Sequence, residues 1–378
     1  SLKASYSLTA DRPSVTNALA VIQSYSPWRP SAGVTESGLT IKDLENSDLT
    51  YEKKHELNIG ADLGFLDNRI NLTVDWYKRD NFDLIGRVMT QGIGGQIQKY
   101  GNVATMKSRG IEFSLSTKNI KTKDFSWTTD FIYSHMKNEV TKFNTSTRAF
   151  NLVSGIGFSR EGYPVNSLFS YDFRGLNEDG VPTFINEAGV LTSTDINFQE
   201  TERFDNLVYS GPSEPTDVGS FGNIFQYKGL RLNVFITYSF GNVVRLDPVF
   251  SSIYNDLDAM PREFRNRWMT PGDERYTDVP AIVSSRQVRN DSKLSYAYNA
   301  YNYSTARIAK GDFIRMKEIS LTYDFPKRWI KKLRMSNLAL KIQATNLFLI
   351  YADKKLNGQD PEFFNTGGVA VPVPKQFT

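Results

Sequence analysis

The chain has 378 residues, no cysteine, and 45 basic against 41 acidic side chains. The small net charge of +4 implies no polyanion-binding field, and the lack of cysteine excludes disulfides and thiolate metal sites. Because there is no run of 18 apolar residues and the mean hydropathy is −0.41, a helical membrane protein is also excluded. What remains is two or three soluble domains, or a large part of one β-barrel.

Segments that alternate apolar and polar residues recur along the chain, which is typical of strands with one apolar and one polar face. One example sets Leu57, Ile59, Ala61 and Leu63 against the polar positions between them. In chain order the pattern predicts strands over 2–10, 54–65, 70–77, 110–118, 125–137, 218–227, 230–240, 312–324 and 338–346, and the start of a tenth near Lys375. Most have the length of about 9 to 11 residues that a tilted membrane strand needs.

The connectors between these strands alternate between long and short. The long ones cover 11–48, 78–107, 138–217, 241–311 and the stretch after 346, and the short ones include turns at Asp67-Asn68 and Lys228-Gly229. Loops above about 12 to 15 residues are uncommon in compact soluble domains, whereas barrels have short periplasmic turns and long extracellular loops. The alternation therefore predicts an all-β, antiparallel up-and-down transmembrane β-barrel, with the strand-like segment 167–173 inside an extracellular excursion.

In such a barrel the apolar face meets lipid and the polar face lines the lumen. The lumen-facing candidates are Glu56, Asp62, Asp75, Glu112, Asp130, Arg231 and Lys341. Charge alternation alone does not distinguish a membrane barrel from a soluble sandwich, because a sandwich places such charges in solvent. Aromatic residues, 13% of the chain, often lie near segment ends and favour aromatic girdles, although they are also good strand formers.

Two cations break the apolar face of the eighth strand. Arg315 and Lys317 share strand parity with Ile319, Leu321 and Tyr323. A charge facing lipid at the bilayer midplane costs about 2 to 4 kcal/mol. We therefore expect both to lie near the outer rim, either snorkelling towards lipid head groups or displaced by a β-bulge.

Several motifs, in order, resemble the C-terminal barrel of SusC-like TonB-dependent outer-membrane transporters. They are Leu49-Thr-Tyr-Glu-Lys-Lys-His-Glu-Leu-Asn-Ile-Gly-Ala-Asp62, Phe65-Leu-Asp-Asn-Arg-Ile70, Val74-Asp-Trp-Tyr-Lys-Arg79, Gly110-Ile-Glu-Phe113, Gly162-Tyr-Pro164, Arg267-Trp-Met-Thr-Pro-Gly-Asp273, Asp312-Phe-Ile-Arg-Met-Lys-Glu-Ile-Ser-Leu-Thr-Tyr323, Thr345-Asn-Leu-Phe348 and Asp360-Pro-Glu362. Each motif alone is weakly specific, but the ordered set spans nearly the whole chain.

The resemblance implies a 22-stranded barrel in the cell outer membrane that imports oligosaccharides or peptides. It also implies an N-terminal plug, a SusD-like surface lipoprotein as a lid, and energy from a TonB complex. Residues 1–378 are then expected to be the C-terminal portion of one barrel domain of about ten strands, with the plug and earlier strands absent from this chain. An open sheet leaves unpaired strand edges in lipid, so the remainder of the barrel, on the same or a separate chain, is an expected partner.

No catalytic, metal or cofactor site is predicted. The two histidines, His55 and His135, lie far apart in sequence and are interpreted as polar residues at a barrel rim. The segment Asn177-Glu-Asp-Gly180 resembles a calcium loop but lacks the further ligands of one, so a plain turn is favoured. Gly92-Ile-Gly-Gly95 is interpreted as a flexible loop and not as a phosphate loop.

Ligand contacts are expected on the long loops, because the strands are occupied by lipid and lumen packing. Flat aromatic faces beside polar groups suit sugar rings and extended peptides. The candidates are Tyr25, Trp28, Phe158, Tyr163, Trp268 and Tyr276. The alternative role for each is packing within the loop or contact with the lid protein.

Three classes of function stay open at this point. The first is transport by part of an outer-membrane importer, with no catalysis of its own. The second is a secreted all-β carbohydrate-binding or adhesion protein that uses the same alternation in soluble sandwiches. The third is an extracellular carbohydrate-active enzyme, which the absence of a site motif disfavours.

Overall fold

A computed structural model describes residues 1–12, 18–25, 38–92, 97–145, 147–154, 157–249, 262–331, 335–364 and 374–378. The strands in chain order are β1 (Leu2–Asp11), β2 (Val21–Tyr25), β3 (Gly38–Asp43), β4 (Glu52–Phe65), β5 (Ile70–Met89), β6 (Gln98–Lys121), β7 (Phe125–Phe143), β8 (Ser167–Tyr171), β9 (Phe173–Leu176), β10 (Pro182–Ile185), β11 (Leu191–Thr192), β12 (Leu207–Pro212), β13 (Asp217–Tyr227), β14 (Leu230–Phe240), β15 (Val243–Arg245), β16 (Ile308–Lys310), β17 (Phe313–Asp324), β18 (Ala339–Ala352) and β19 (Gln376–Phe377).

The α-helices are short and lie between strands. They are α1 (Ala149–Val153), α2 (Ser285–Asn290), α3 (Leu294–Asn302) and α4 (Lys327–Ile330). Single 3₁₀ turns occur at Arg262–Asn266, Asp273–Arg275, Thr305–Arg307, Lys354–Leu356 and Pro361–Phe363. None of the helices in the described ranges combines the length and apolar character needed to cross a bilayer.

Ten strands form one antiparallel sheet, which we call the wall. Its order is β1-β4-β5-β6-β7-β13-β14-β17-β18-β19, so every strand pairs with its neighbours along the up-and-down path. All ten predicted strands are present in it, and β8, which covers most of the segment 167–173, pairs with β12 outside the wall. The prediction that this segment belongs to a loop excursion is confirmed. The wall is an open sheet, with β1 and β19 at its edges.

The predicted long connector over 78–107 is wrong. Strand β5 continues to Met89 and β6 begins at Gln98, and their pairing extends to Met89 opposite Gln98. The sequence there is polar, and this polarity is what predicts a loop. Polar side chains indicate that a segment is exposed to water. They do not prevent backbone hydrogen bonding, so the hairpin of β5 and β6 continues beyond the part of the wall that carries apolar side chains. The connector predicted over 11–48 similarly contains a hairpin of β2 with β3.

Turn chemistry fixes the short-turn end of the wall. Leu66, Asp67 and Asn68 all have positive φ, and they link β4 to β5 as predicted. Lys228, with φ of 53°, and Gly229 form the two-residue link between β13 and β14. A Cβ on Gly229 would lie 2.5 Å from the carbonyl oxygen of Asp324, so this turn excludes a side chain at that position.

The two faces of the wall differ in chemistry. Large apolar side chains remain exposed on one face, including Ile59, Trp76, Ile111, Phe221, Leu230, Leu321, Leu340 and Ile342. The pairing register joins them, since Ile59 is opposite Trp76, Trp76 is opposite Ile111, and Leu321 is opposite Ile342. Strand β14 contributes five apolar residues to this face, from Leu230 to Tyr238, which span about 27 Å along the strand. Tilted by about 40°, that length covers about 20 Å, close to the apolar band of a membrane barrel.

The apolar core lies in the loops and not in the wall. The two longest excursions, between β7 and β13 and between β14 and β17, pack against each other around a set of buried residues that we call the loop core. It consists of Ala149, Leu152, Val153, Phe169, Tyr171, Phe184, Ile196, Phe198, Leu207, Val249, Phe264, Ala300 and Tyr301. A one-layer wall has no core of its own, because its apolar face is turned outward; the loops supply the packed mass at one end.

Candidate functional site

The pairing register brings the seven polar candidates of the wall to one face. Asp75 is opposite Gly60 and Glu112, and Asp130 is opposite Ser116 and Gly222. Thr322 lies between the other two, opposite both Arg231 and Lys341. Glu56, four residues before Gly60, and Asp62, two residues after it, share its face of β4. The sequence alternation thus placed the seven side chains on one face of the wall.

Two of these carboxylates hold neighbouring strands together. Glu56 forms ion pairs with Lys54 at 2.8 Å and with Arg79 of β5 at 3.2 Å. Asp62 pairs with Lys3 of the edge strand β1 at 2.8 Å and accepts a hydrogen bond from Thr73. These side chains therefore have a structural partner on the polar face.

A β-bulge moves Arg315 from the apolar face to the polar face. Phe235 of β14 is opposite Glu318, but the next residue, Ile236, is opposite Met316, so Lys317 is the extra residue of the bulge. The parity of β17 reverses there, and Arg315 comes opposite Thr237. It is only 3% exposed and donates to Asp360 of the loop that follows β18, with Glu362 at 3.2 Å. Of the two expectations for Arg315, displacement by a bulge is the one that the structure supports.

Two buried arginines link the excursions at the loop end of the wall. Arg245, 6% exposed on β15, donates its Nη2 to the carbonyl oxygen of Phe169 at 2.7 Å. Burial lowers the pKa of this guanidinium to about 10. Arg307, 4% exposed, donates to Glu263 and to the carbonyl oxygen of Asp247. Sequence reasoning missed both, because each lies in a segment with no periodic pattern to show that it is buried.

The motif Arg267-Trp-Met-Thr-Pro-Gly-Asp273 folds into a loop held by its own carboxylates. Asp273 Oδ2 accepts the backbone N–H groups of Met269 and Thr270, both at 3.0 Å. Glu274 Oε2 accepts the N–H of Gly272 at 2.8 Å and the indole N–H of Trp268 at 3.2 Å. These backbone hydrogen bonds hold the pKa values of Asp273 and Glu274 below their ordinary range. The loop is thereby ordered although it is exposed.

Trp268 also ties this loop to the neighbouring excursion. Its ring lies against Gly180, where a Cβ would come within 2.4 Å of the indole. Its backbone N–H donates to Val279, and Ala281 donates to the carbonyl oxygen of Gly180. The Asn177 to Gly180 segment forms the plain turn that its sequence favours, in which Asn177 Oδ1 accepts the backbone N–H groups of Asp179 and Val181.

The same turn recurs nine residues later in the chain. Asn186 Oδ1 accepts the N–H groups of Ala188 and Val190, as Asn177 does for the corresponding residues. In both turns the amide oxygen is committed to backbone donors. Across the described ranges no group of three or more histidine, aspartate or glutamate side chains is arranged to hold a metal ion.

The two histidines lie near the loop end of the wall, each in contact with neighbours. His55 is hydrogen-bonded to Tyr6 at 3.0 Å and packs edge-on against Phe82. His135 lies 2.8 Å from Asp217. This placement agrees with the interpretation of both as rim residues.

The six aromatic candidates divide by environment. Phe158 and Tyr163 pack against the loop core, with Tyr163 4.9 Å from the ring of Phe169. Trp268 is half-buried in its loop, and Tyr276 is 88% exposed on that same loop. Tyr25 ends β2, but its side chain, like the whole of Trp28, lies outside the described residues. The structure therefore leaves Tyr276 as the described candidate whose ring is free to meet a ligand.

Residues 1–347 match the family described as TonB dependent receptor-like, beta-barrel. The chain belongs to this family. It is therefore an outer-membrane β-barrel protein, the apolar face of the wall meets lipid, and the long loops lie on the extracellular side. The open wall is part of a barrel.

Individual relatives agree with this membership. The chain is 26% identical to TonB-dependent receptor P3 of Formosa agariphila, over 95% of this chain and 35% of the relative. It is 26% identical to TonB-dependent receptor SusC of Bacteroides thetaiotaomicron, over 88% of this chain and 32% of the relative. The RagAB peptide transporter structure superposes with a TM-score of 0.77 and 26% identity, over 100% of this chain and 40% of that one. The chain thus spans about a third of the length of its curated relatives.

Proposed function

We propose that this chain forms the C-terminal portion, 1–378, of the barrel of a SusC-like importer that carries oligosaccharides or peptides across the outer membrane. The observation that carries the proposal is that the two longest extracellular loops pack together around the loop core, at the extracellular end of the wall. Binding residues on loops act best when a rigid scaffold positions them. Here buried arginines and packed aromatic rings supply that rigidity.

The ligand surface would centre on the loop that presents Tyr276. Met269 is 63% exposed, Tyr276 is 88% exposed, and Arg275 beside it is exposed as well. An aromatic ring, a thioether and a guanidinium suit an extended peptide with apolar side chains and free carboxylates. The likeness to the RagAB peptide transporter favours peptides over oligosaccharides as the first class to test.

The other parts of the importer follow from the same proposal. The polar face from Glu56 to Lys341 would line the lumen and meet the plug, with the rest of the barrel completing the wall. A SusD-like surface lipoprotein would cover the extracellular mouth, and a TonB complex would act on the N-terminal part of the protein. This role needs no catalytic step and no cofactor.

Uptake by cells tests the proposal. Cells lacking the protein are complemented with the wild type or with Tyr276→Ala and are given fluorescent oligopeptide and oligosaccharide mixtures. We expect uptake of one class that depends on this protein and on TonB, and a several-fold loss in Tyr276→Ala at equal surface level. Tyr227→Ala, which removes a tyrosine 53% exposed at the opposite end of the wall, is the control. If uptake of both classes is the same with and without the protein, the proposal fails.

Co-purification tests the partner separately. Protein extracted from membranes in mild detergent is expected to carry a surface lipoprotein and a plug-bearing segment, on the same or another chain. A folded wall recovered without either would contradict the proposed complex.

A further inference from the structure

A row of three cations crosses the lipid-facing side of the wall at its extracellular end. Lys78 of β5 is opposite Arg109 of β6, and Arg109 is opposite Lys137 of β7. All three side chains are exposed. Two residues nearer the turn end, the same face carries Trp76, Ile111 and His135, again directly opposite one another.

The row therefore lies one pleat above Trp76 and Ile111 on the lipid face. Two residues of a strand advance by about 6.8 Å, which places the cations at the level of lipid head groups when Trp76 and Ile111 lie at the boundary of the apolar band. A tryptophan at that height is typical of a membrane interface.

The carboxylates of the protein do not fully neutralise the positive charge of these three side chains. Like charges directly opposite each other on neighbouring strands are destabilising. Lys78 has a carboxylate at 3.6 Å, that of Asp80, but among the described residues no carboxylate is within 4.0 Å of Arg109 or Lys137. The next row is Asp80, Lys107 and Glu139, so the two rows together hold four cations against two carboxylates.

Side chains of the two rows, apart from Asp80, line an open groove. It has a volume of about 440 Å³ and is lined by Trp76, Lys78, Lys107, Arg109, Lys137 and Glu139 together with two polar residues. Its floor is the sheet itself, and it opens towards the lipid. A ligand there would meet a guanidinium and ammonium groups on one side and an indole on the other.

We propose that this groove binds the phosphate group of an anionic lipid in the outer leaflet. Arg109 and the flanking lysines would donate charge-assisted hydrogen bonds to the phosphate oxygens, while Trp76 packs against the less polar part of the lipid. A membrane lipid is favoured over a soluble phosphate because the groove opens at the membrane interface and its lower edge is apolar. Bound lipid would neutralise the repulsion within the row.

Native mass spectrometry of the protein as isolated from membranes, in a neutral maltoside detergent, tests this. The probes are a diphosphorylated lipid A, dioleoylphosphatidylcholine and inorganic phosphate. The variant is Lys78→Gln/Arg109→Gln/Lys137→Gln. Lys118→Gln/Lys121→Gln/Lys123→Gln is the matched control, because it removes the same charge from exposed positions on or near the turn between β6 and β7 at the opposite end of the wall.

We expect the wild type and the control to bind lipid A alike and the groove variant to bind it about 100-fold more weakly, since each cation near an anionic lipid surface strengthens binding about fivefold. Lys78→Arg/Arg109→Lys/Lys137→Arg should retain binding, which separates charge from folding. Equal loss in the control would show bulk attraction and overturn the site. Displacement of lipid A by inorganic phosphate at equal concentration would overturn the lipid assignment. Unchanged binding of lipid A by the groove variant would overturn the site itself, because the three cations would then act as independent snorkelling side chains.

Discussion

The guanidinium of Arg315 on β17 donates to the carboxylate of Asp360, joining the barrel wall to the loop that follows β18. Arg315 is 3% exposed and Asp360 is 8% exposed, so the pair is shielded from water. The contact exists because the bulge at Lys317 reverses the strand parity and turns Arg315 away from lipid. Glu362 supplies a second carboxylate at 3.2 Å.

The first prediction concerns this pair. Asp360→Asn should lower the free energy of unfolding by about 3 kcal/mol, because the buried guanidinium of Arg315 loses its nearer carboxylate and keeps only that of Glu362, whose side chain is 40% exposed. Denaturant unfolding of the protein in lipid vesicles measures the change. Asp83→Asn is the control, because its ion pair with Lys53 at 2.9 Å is exposed and is worth less than about 1 kcal/mol. Equal effects of the two substitutions would contradict a special role for the buried pair.

The second prediction uses the repeated turn. Gly180 and Gly189 occupy the same position in the Asn177 and Asn186 turns, with φ of 71° and 76°. Gly189→Ala meets nothing within 4 Å and should cost only the backbone strain of about 1 to 2 kcal/mol. Gly180→Ala adds a clash with the Trp268 ring and should release the loop of Trp268. Limited proteolysis within 262–281 should be faster in Gly180→Ala alone; equal rates would show that Trp268 does not depend on Gly180.

The third prediction concerns pH. Burial raises the pKa of Tyr301 to about 12, above the value of about 10 for an unfolded tyrosine. Below pH 10 the tyrosine is neutral in both states and its contribution is complete. As the pH rises from 10 to 12 the unfolded tyrosine ionises first, so stability is lost with increasing pH.

Tyr301→Phe tests this difference. The variant lacks the hydrogen bond that Tyr301 donates to the carbonyl oxygen of Asp278 and should be less stable at neutral pH by about 1 kcal/mol. Its stability should fall less steeply above pH 10, as followed by hydrogen exchange in the loop core. Tyr276→Phe, at an exposed position, should follow the wild-type curve. Parallel curves for Tyr301→Phe and the wild type would contradict the prediction.

The fourth prediction tests the two faces of the wall with adjacent residues. Ile342 is 60% exposed on the lipid face, while Gln343 points to the polar face. Ile342→Lys should destabilise the protein by up to about 2 to 4 kcal/mol, the cost of a lysine in the apolar band, and Gln343→Lys should cost much less. Urea unfolding in vesicles measures both. A larger effect at Gln343 would reverse the assignment of the faces.

Much of the wall could be predicted from the sequence. The alternation from Leu57 to Leu63 indicates β4, its apolar face and its length, and turn residues such as Asn68 indicate where the chain reverses. These features are local, because the side-chain period of two and the preference for positive φ act within a few residues. The placement of the segment from Ser167 to Phe173 in a loop required the alternation of long and short connectors along the whole chain. That alternation is also a property of the sequence alone.

The sequence by itself determined the class of fold, the order of the wall strands and the polar face that includes Glu56 and Lys341. Only the tertiary structure decided that Arg315 turns inward, that Arg245 and Arg307 are buried, and that Phe158 and Tyr163 pack while Tyr276 stays free. Each of these outcomes depends on contacts between residues distant in sequence, such as Arg315 with Asp360 and Arg245 with Phe169. Local periodicity carries no information about such partners, because burial and pairing across loops are set by the packing of the whole chain.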